Sequence, residues 1–214
     1  MTTASTYPRL LGDVGGTNAR FAWAESADAP LSDIAQYPCA DYPSLAAAIS
    51  GYMETLRRPR PSACGIGIAN PVVGDQIKMT NHHWSFSISQ LRQQLQVERL
   101  AVINDFTALA LSLPALGDAD RQAIGGGTPV GGEPLAVIGA GTGLGMSGLL
   151  PSAEGRHVAV AGEGGHASLA ANDEEEAAVI ALLRERFGHV SAERALSGPG
   201  LVNLYEACSR LAGV

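Results

Sequence analysis

The sequence has 214 residues, enough to bury a full hydrophobic core and to form one large or two small domains. Its net charge of -7 and its scattered arginines argue against a surface for nucleic acid or an anionic membrane. No apolar run approaches spanning length, and Cys39, Cys64 and Cys208 are too far apart to indicate a disulfide framework or a zinc site. We therefore expect a soluble cytoplasmic protein whose partners include neither nucleic acid nor a membrane.

The first pattern is a hairpin with a glycine-rich turn, between apolar runs that begin at Leu10 and Phe21. The turn region combines glycines, a carboxylate, a hydroxyl and an amide, at Gly12, Asp13, Gly15, Gly16, Thr17 and Asn18. Glycines at 15 and 16 allow positive φ and bring N–H groups close to an anion, which favours a phosphate-binding turn. Asp13 would repel a phosphate and is placed instead to hold a hydrated metal ion. An ordinary glycine turn capped by Asp13 is the alternative.

A second glycine-rich turn follows the apolar run at residues 135–138 and contains Gly141, Thr142 and Gly143. The chain has a single lysine, Lys78, and no G-x-x-x-x-G-K-[ST] motif, which excludes a P-loop and a kinase of the protein-kinase type. Backbone amides, hydroxyls and a metal ion would therefore hold any nucleotide phosphate. Two such turns, one in each half of the chain, are what a nucleotide bound between two similar domains requires.

The same region also allows a dinucleotide-binding alternative. Residues 143–148 satisfy G-x-G-x-x-G after a strand, and Glu163 lies within range of the expected acid. No convincing helix pattern follows the glycines, although the fingerprint requires a helix whose N-terminus meets the pyrophosphate. The pattern is therefore a weak indication of a dinucleotide-binding enzyme, and absence of NAD binding would exclude it.

Strands and helices alternate between the two turns. An amphipathic helix is predicted to begin at Pro43 and to end near Arg57, and a capping-box pattern at Ser87 opens a second helix. The short apolar run at residues 63–69 predicts a buried central strand, and residues 99–103 predict another. Two adjacent histidines follow Asn81 and favour a packed loop over a metal site, because they point different ways on a strand.

Asn104 and Asp105 stand at the carboxyl end of that last strand, immediately before a helical pattern. Ligands of α/β proteins bind at such junctions, so both side chains are candidates for a site. A helix N-cap is the alternative role of Asp105. The helical pattern stops at Pro114, and the Gly-, Asp- and Pro-rich stretch beyond it predicts a domain boundary there.

The second half of the chain contains one more polar turn. Glu163 and His166 lie among glycines after the strand pattern at residues 158–161, which favours a ligand contact over an exposed turn. An N-cap and an acidic first turn at residues 172–176 open one helix, and Ser197 opens the last.

Six stretches of the sequence together resemble the bacterial glucokinase family. They are residues 12–20, 80–87, 103–107, 139–145, 162–166 and 188–200. The motifs come in the family's order, with near-family spacing, over essentially the whole chain. The resemblance implies an α/β protein with the two-domain actin-like ATPase fold, made of ribonuclease H-like halves with the active site between them. Residues 1–114 would carry the first phosphate turn and the catalytic Asp, and residues 115–214 the second turn and sugar-binding residues.

The activity that this resemblance implies is transfer of the γ-phosphate of ATP to the 6-hydroxyl of glucose, giving glucose 6-phosphate and ADP, the first step of glycolysis. Asp105 would be the general base, and the sugar would contact Asn104, Asp105, Glu163, His166 and Glu193. The two glycine turns would hold the phosphates, with Mg²⁺ near Asp13 and in contact with it through water. Members of the family are often dimers, and the sequence does not decide whether this protein forms a homodimer.

Members of the family continue well past Val214. The resemblance therefore implies that the second domain is incomplete here, without the loop that packs on the adenosine and without a terminal helix. We expect the 214-residue chain to bind nucleotide poorly, to expose apolar surface and to be unstable or to associate. A sugar-binding regulatory module without catalysis is the alternative function.

Overall fold

The computed structural model describes residues 6–80 and 82–214. The chain folds as two compact units, Met1–Ala108 and Leu109–Val214. The sequence places the boundary near Pro114, and the assignment of functions to residues 1–114 and 115–214 stays a prediction. Within the described residues, none of the helices combines the length and the apolar character needed to cross a bilayer.

The first unit is a mixed sheet with helices. In chain order its elements are β1 (Arg9–Val14), β2 (Asn18–Ala24), β3 (Ser32–Pro38), α1 (Leu45–Leu56), β4 (Ala63–Ile68), β5 (Gln76–Lys78), β6 (Ser85–Ser87), α2 (Ile88–Leu95) and β7 (Arg99–Asn104). The helix α3 (Asp105–Ser112) begins in the first unit and ends in the second. Five strands form one sheet in the order β3-β2-β1-β4-β7, and β5 and β6 pair separately. The antiparallel hairpin and the central position of β4 confirm both sequence predictions.

The core of this unit lies between the sheet and its helices. Leu10 and Ile66 on the strands pack in one cluster with Leu45, Ile49 and Tyr52 on α1, and all five are buried. The predicted start of α1 at Pro43 is wrong by two residues. The helix begins at Leu45 because Ser44 is its N-cap, with the Ala47 N–H donating to Ser44 Oγ at 3.1 Å.

The second unit contains a smaller sheet and two longer helices. Its elements are β8 (Leu135–Ala140), β9 (Leu144–Pro151), β10 (His157–Gly162), α4 (Glu174–Phe187) and α5 (Gly198–Ala212). The three strands are antiparallel in the order β10-β9-β8. Asp173 caps α4 and Ser197 caps α5, which confirms both predicted helix starts. A strand, β9, follows Gly143 directly, so the helix that a dinucleotide fingerprint requires is not formed there.

The two helices of the second unit pack on each other, with Val179, Leu183 and Ala207 in their buried cluster. One face of the sheet stays open. The strand pairing places a set of exposed apolar side chains on that face, namely Ile138, Met146, Leu150, Val158 and Val160. The exposed apolar surface expected from the sequence is therefore present.

Candidate active site

The first glycine turn joins β1 to β2. The Gly15 N–H donates to the Asn18 carbonyl oxygen at 2.9 Å, and the Cys39 N–H donates to the Thr17 carbonyl oxygen at 2.8 Å. These bonds fix the turn against the start of the segment after β3. Gly15 and Gly16 do not adopt the positive φ that glycine allows, since the described glycines with positive φ are at other positions. The turn thus closes with ordinary backbone angles, and the absence of side chains leaves room for a ligand.

The parallel strands β1, β4 and β7 end at one edge of the first sheet, which brings polar side chains together there. Asp13 lies near the end of β1, and Asn104 ends β7. The Thr107 N–H donates to Asn104 Oδ1 at 3.1 Å. Asn104 therefore caps α3, and the alternative of Asp105 as the cap is wrong, since Asp105 is the first helical residue.

Asp105 lies in a half-buried environment at this edge. Its Oδ1 accepts hydrogen bonds from the Phe106 N–H and from Asn104 Nδ2, both at 2.9 Å. Burial is the main cause that raises the pKa of the Asp105 carboxyl, and the charge of Asp13 raises it further. The two hydrogen bonds act in the opposite direction. The carboxylate is therefore oriented by its neighbours and holds a proton more strongly than an ordinary aspartate.

Asp13 forms an ion pair with the guanidinium group of Arg20. Arg20 Nη1 lies 3.6 Å from Asp13 Oδ2, and about two thirds of each side chain is exposed, at 61% and 64%. Such an exposed pair contributes little to stability. Arg20 belongs to the first glycine stretch, but sequence reasoning assigned it no role, because the strand register that places it opposite Asp13 is visible only in the structure.

Asn70 is a second residue that sequence reasoning missed. It is buried just beyond β4, and its Oδ1 accepts hydrogen bonds from the Thr80 N–H at 2.9 Å and from Thr80 Oγ1 at 2.7 Å. The Asn70 carbonyl oxygen lies 3.5 Å from Asn104 Nδ2. Asn70 therefore ties the end of β4 to the loop after β5. Its position after a buried strand parallel to β7 was the available signal.

The paired histidines pack in this loop, while Asn81 lies outside the described residues. The rings of His82 and His83 are 4.1 Å apart, and the His82 ring meets Trp84 edge to face at 4.8 Å. Burial and the neighbouring His83 lower the pKa of His82. The contacts with Trp84 agree with the packed loop expected from the sequence.

The second glycine turn joins β8 to β9 and is closed by a hydrogen bond from the Gly141 N–H to the Gly143 carbonyl oxygen at 2.8 Å. Two later residues contact this turn. The Gly198 N–H donates to the Gly141 carbonyl oxygen at 2.8 Å, and the Leu144 N–H donates to Glu193 Oε2 at 2.9 Å. Thr142 lies between these two attachments. The turn is therefore held from both sides by the start of α5 and the segment before it.

Three predicted sugar-binding residues lie in the second unit. Glu163 precedes a short 3₁₀ turn that ends at His166, and the His166 N–H donates to the Glu163 carbonyl oxygen at 3.0 Å. His166 Nε2 is 3.9 Å from Glu193 Oε2. Gly165 has to be glycine, because a Cβ there would lie 2.1 Å from the Leu144 carbonyl oxygen. The structure thus brings His166 and Glu193 together beside the second glycine turn.

Known proteins share both the sequence and the fold. The family model described as Glucokinase matches residues 10–214. The chain is 53% identical over 213 residues to a glucokinase of Aromatoleum aromaticum, and 51% identical over 212 residues to one of Ralstonia nicotianae. These alignments cover 98% and 97% of this chain, but 63% and 61% of the relatives. The chain therefore spans less than two thirds of the length of these relatives.

Solved structures give the same result. The crystal structure of a glucokinase from an Antarctic psychrotroph matches with a TM-score of 0.86 and 36% identity, over 97% of this chain and 66% of that chain. A glucokinase of Streptomyces griseus, with a TM-score of 0.58 and 18% identity over 97% of this chain and 62% of that chain, shares the fold. On the family match and these similarities, the chain belongs to the glucokinase family.

Proposed function

We propose that this chain carries the phosphoryl-transfer site of a glucokinase, which moves the γ-phosphate of ATP to the 6-hydroxyl of glucose and forms glucose 6-phosphate and ADP. The observation that carries the proposal is the half-buried Asp105, which lies with Asn104 and Asp13 at the edge where β1, β4 and β7 end. Membership of the glucokinase family supports the same reaction and its first place in glycolysis.

Asp105 is the proposed general base. It accepts the proton of the 6-hydroxyl as that oxygen attacks the γ-phosphorus. The raised pKa of Asp105 suits this role, because a carboxylate that holds a proton more strongly is a better proton acceptor. Asn104 supports the geometry by donating to Asp105 Oδ1 while its own Oδ1 caps α3. Positioning of this kind does much of the work in phosphoryl transfer.

The proposed sugar contacts are Asn104, Asp105, Glu163, His166 and Glu193. Each hydroxyl of a sugar both donates and accepts, so carboxylates, an amide and an imidazole can satisfy several hydroxyls at fixed geometry. The proximity of His166 to Glu193 supports a shared role of these two side chains.

The two glycine turns are the proposed phosphate sites. Gly12, Gly15, Gly16, Thr17 and Asn18 supply the first, and Gly141, Thr142 and Gly143 the second. Both turns are closed by backbone hydrogen bonds, from the Gly15 N–H to the Asn18 carbonyl oxygen and from the Gly141 N–H to the Gly143 carbonyl oxygen, which fix the path of the backbone. A Cβ at Gly141 would meet no atom within 4 Å, which leaves open space beside that turn. Such turns bind phosphates without a lysine.

The metal proposed with ATP is Mg²⁺ held near Asp13 through water. Among the described residues, no three His, Cys, Asp or Glu side chains gather in a metal-binding group. An ion that keeps several of its waters and uses one or two carboxylates fits the exposed Asp13. When bound, it would neutralise the charge that develops on the transferred phosphoryl group.

The strand order of the two units supports the proposed actin-like ATPase fold. Strands β8, β9 and β10 repeat the order and the antiparallel pairing of β1, β2 and β3, with a glycine turn between the first two strands of each set. Beyond β1 the first sheet continues with β4 and β7, whereas among the described residues β8 is an edge. An incomplete second domain is therefore part of this proposal.

The test is Mg·ATP-dependent formation of glucose 6-phosphate by the 214-residue chain, with Asp105→Asn as the variant. Loss of a general base costs about 10²- to 10⁴-fold in rate, so the variant should lose nearly all turnover. Asp118→Asn is the matched control, because Asp118 is exposed and its carboxylate pairs with Arg121. The control should keep the activity of the parent chain.

Equal activity in Asp105→Asn and in the parent chain would contradict the proposed base. If the parent chain forms no product, calorimetry with glucose decides between the two remaining functions. Glucose binding without turnover, in this chain and in one extended to the length of its relatives, would favour the non-catalytic sugar-binding module. Turnover by the extended chain alone would support the kinase and show that the reaction needs the additional length that the relatives have.

A further inference from the structure

Glu193 connects two parts of the second unit that the proposed function treats separately. Its Oε2 accepts a hydrogen bond from the Leu144 N–H, at the end of the second glycine turn, and lies 3.9 Å from His166 Nε2. The side chain is 31% exposed, so a ligand can reach it. One carboxylate thus touches both the turn proposed for phosphate and a side chain proposed for sugar.

Gly143 shows how closely the carboxylate and the turn pack. A Cβ at Gly143 would lie 2.3 Å from Glu193 Oε2 and 3.1 Å from Glu193 Cδ. Any residue other than glycine would therefore displace the carboxylate or the turn. The absence of a side chain at Gly143 serves this contact, in addition to the room that it leaves for a ligand.

The backbone of Glu193 is fixed as firmly as its side chain. Its carbonyl oxygen accepts a hydrogen bond from Ser197 Oγ at 2.8 Å, and Ser197 is also the N-cap of α5. The next residue, Gly198, donates its N–H to the Gly141 carbonyl oxygen at 2.8 Å. Residues 193–198 therefore hold residues 141–144 at both ends, and a shift of Glu193 has to move the turn or break a hydrogen bond.

We propose that Glu193 is a positioning residue that couples sugar binding to the second phosphate turn. A sugar hydroxyl that donates to the Glu193 carboxylate binds the same group that accepts from the Leu144 N–H. The hydrogen bond between Glu193 and the turn therefore differs between the sugar-bound and the sugar-free chain. By linkage, the sugar and the phosphate ligand change each other's affinity by the same factor. This inference rests on the proposed function, because it takes glucose as the ligand of Glu193.

The test uses the ¹⁵N-labelled 214-residue chain and follows the amides of Leu144 and Gly198 by NMR. Without sugar, Glu193→Ala removes the carboxylate that accepts the hydrogen bond of the Leu144 N–H. The hydrogen-exchange rate of the Leu144 amide should then increase by about tenfold or more, as expected for loss of a hydrogen bond to a charged group. Glu193→Gln keeps a carbonyl acceptor and should retain most of the protection. Glu154→Ala, an exposed glutamate paired with Arg156, is the matched control and should change neither amide.

Titration with glucose then tests the coupling. In the parent chain, glucose should shift the Leu144 and Gly198 amides together with the His166 ring. A shift of the His166 ring without any change at Leu144 and Gly198 would overturn the coupling and leave the proposed function standing. No shift at any of these groups would contradict glucose binding itself. Unchanged Leu144 exchange in a folded Glu193→Ala chain would show that the carboxylate does not hold the turn, whatever glucose does.

Discussion

Asp105 and Asp13 influence each other at the edge of the first sheet. Burial raises the pKa of Asp105 first, and the negative charge of Asp13 adds to the effect. A carboxyl with a raised pKa is deprotonated at higher pH than an ordinary aspartate, so a base at this position loses its function earlier as the pH falls.

Asp13→Asn should therefore lower the pKa of Asp105, because the variant removes the neighbouring negative charge and leaves the burial in place. Titration of the Asp105 carboxyl by ¹³C NMR measures this directly and does not depend on turnover. The midpoint should move to lower pH in Asp13→Asn and stay unchanged in Asp118→Asn. An absent shift in Asp13→Asn would show that the two carboxyl groups do not interact, and an upward shift would contradict the expected sign of their interaction.

The second glycine turn offers a matched pair of substitutions. Gly143→Ala would place a Cβ 2.3 Å from Glu193 Oε2, whereas a Cβ at Gly141 meets nothing within 4 Å. Neither glycine has positive φ, so the backbone itself tolerates alanine. Gly143→Ala should lower the free energy of unfolding by about 1–3 kcal/mol through overpacking, and Gly141→Ala by less than about 0.5 kcal/mol. Urea unfolding of both variants makes the comparison, and equal losses would contradict the close contact.

At the scale of single elements, local signals in the sequence predicted most helix starts. Ser87 and Ser197 are the N-caps of α2 and α5 as expected, because a hydroxyl before an apolar helical pattern satisfies the first free N–H groups. Two starts were missed. Pro43 was expected at the first helical position of α1, but Ser44 is the cap and the helix begins one residue later; Asn104 rather than its neighbour Asp105 caps α3.

The cap of α5 holds more than its helix. Ser197 Oγ accepts from the Gly200 N–H at 3.0 Å and donates to the Glu193 carbonyl oxygen at 2.8 Å. Ser197→Ala should lower the free energy of unfolding by about 1–2 kcal/mol and should also increase hydrogen exchange at Leu144. Ser44→Ala removes a comparable cap from α1 and is the control, which should lose stability without affecting Leu144. Unchanged hydrogen exchange at Leu144 in Ser197→Ala would show that the cap of α5 does not stabilise the second glycine turn.

At the scale of the whole molecule, the sequence predicted two similar halves from their glycine turns, and the strand order of both sheets agrees. It could not predict which faces are covered. Apolar residues recur along β8, β9 and β10, but the pattern does not show that Ile138, Leu150 and Val160 are exposed in the structure. The contact of Arg20 with Asp13 depends on the strand register, and the contact of Glu193 with the second glycine turn depends on tertiary packing. Neither contact could be predicted from the sequence, because no local pattern connects the residues that form it.

The open face of the second sheet should make the chain associate. Large contiguous apolar surface favours self-association and the binding of hydrophobic dyes. Ile138→Thr combined with Val160→Thr should reduce both dye fluorescence and the concentration-dependent rise of mass in light scattering. Ile34→Thr is the control, because Ile34 is 69% exposed but lies on β3 of the first unit. A chain that is monodisperse and melts cooperatively at all concentrations would contradict this expectation.

The first sheet has a further property that bears on synthesis. All five of its strands come from one continuous stretch that ends at Asn104, and its core is built from the same stretch. Ribosomes add about 5–20 residues per second, so this stretch emerges within roughly 5–20 s and needs no later residue to complete its strand pairing. The nascent chain can thus form the sheet edge that carries Asp13 and Asp105 during synthesis, before the second glycine turn has left the exit tunnel.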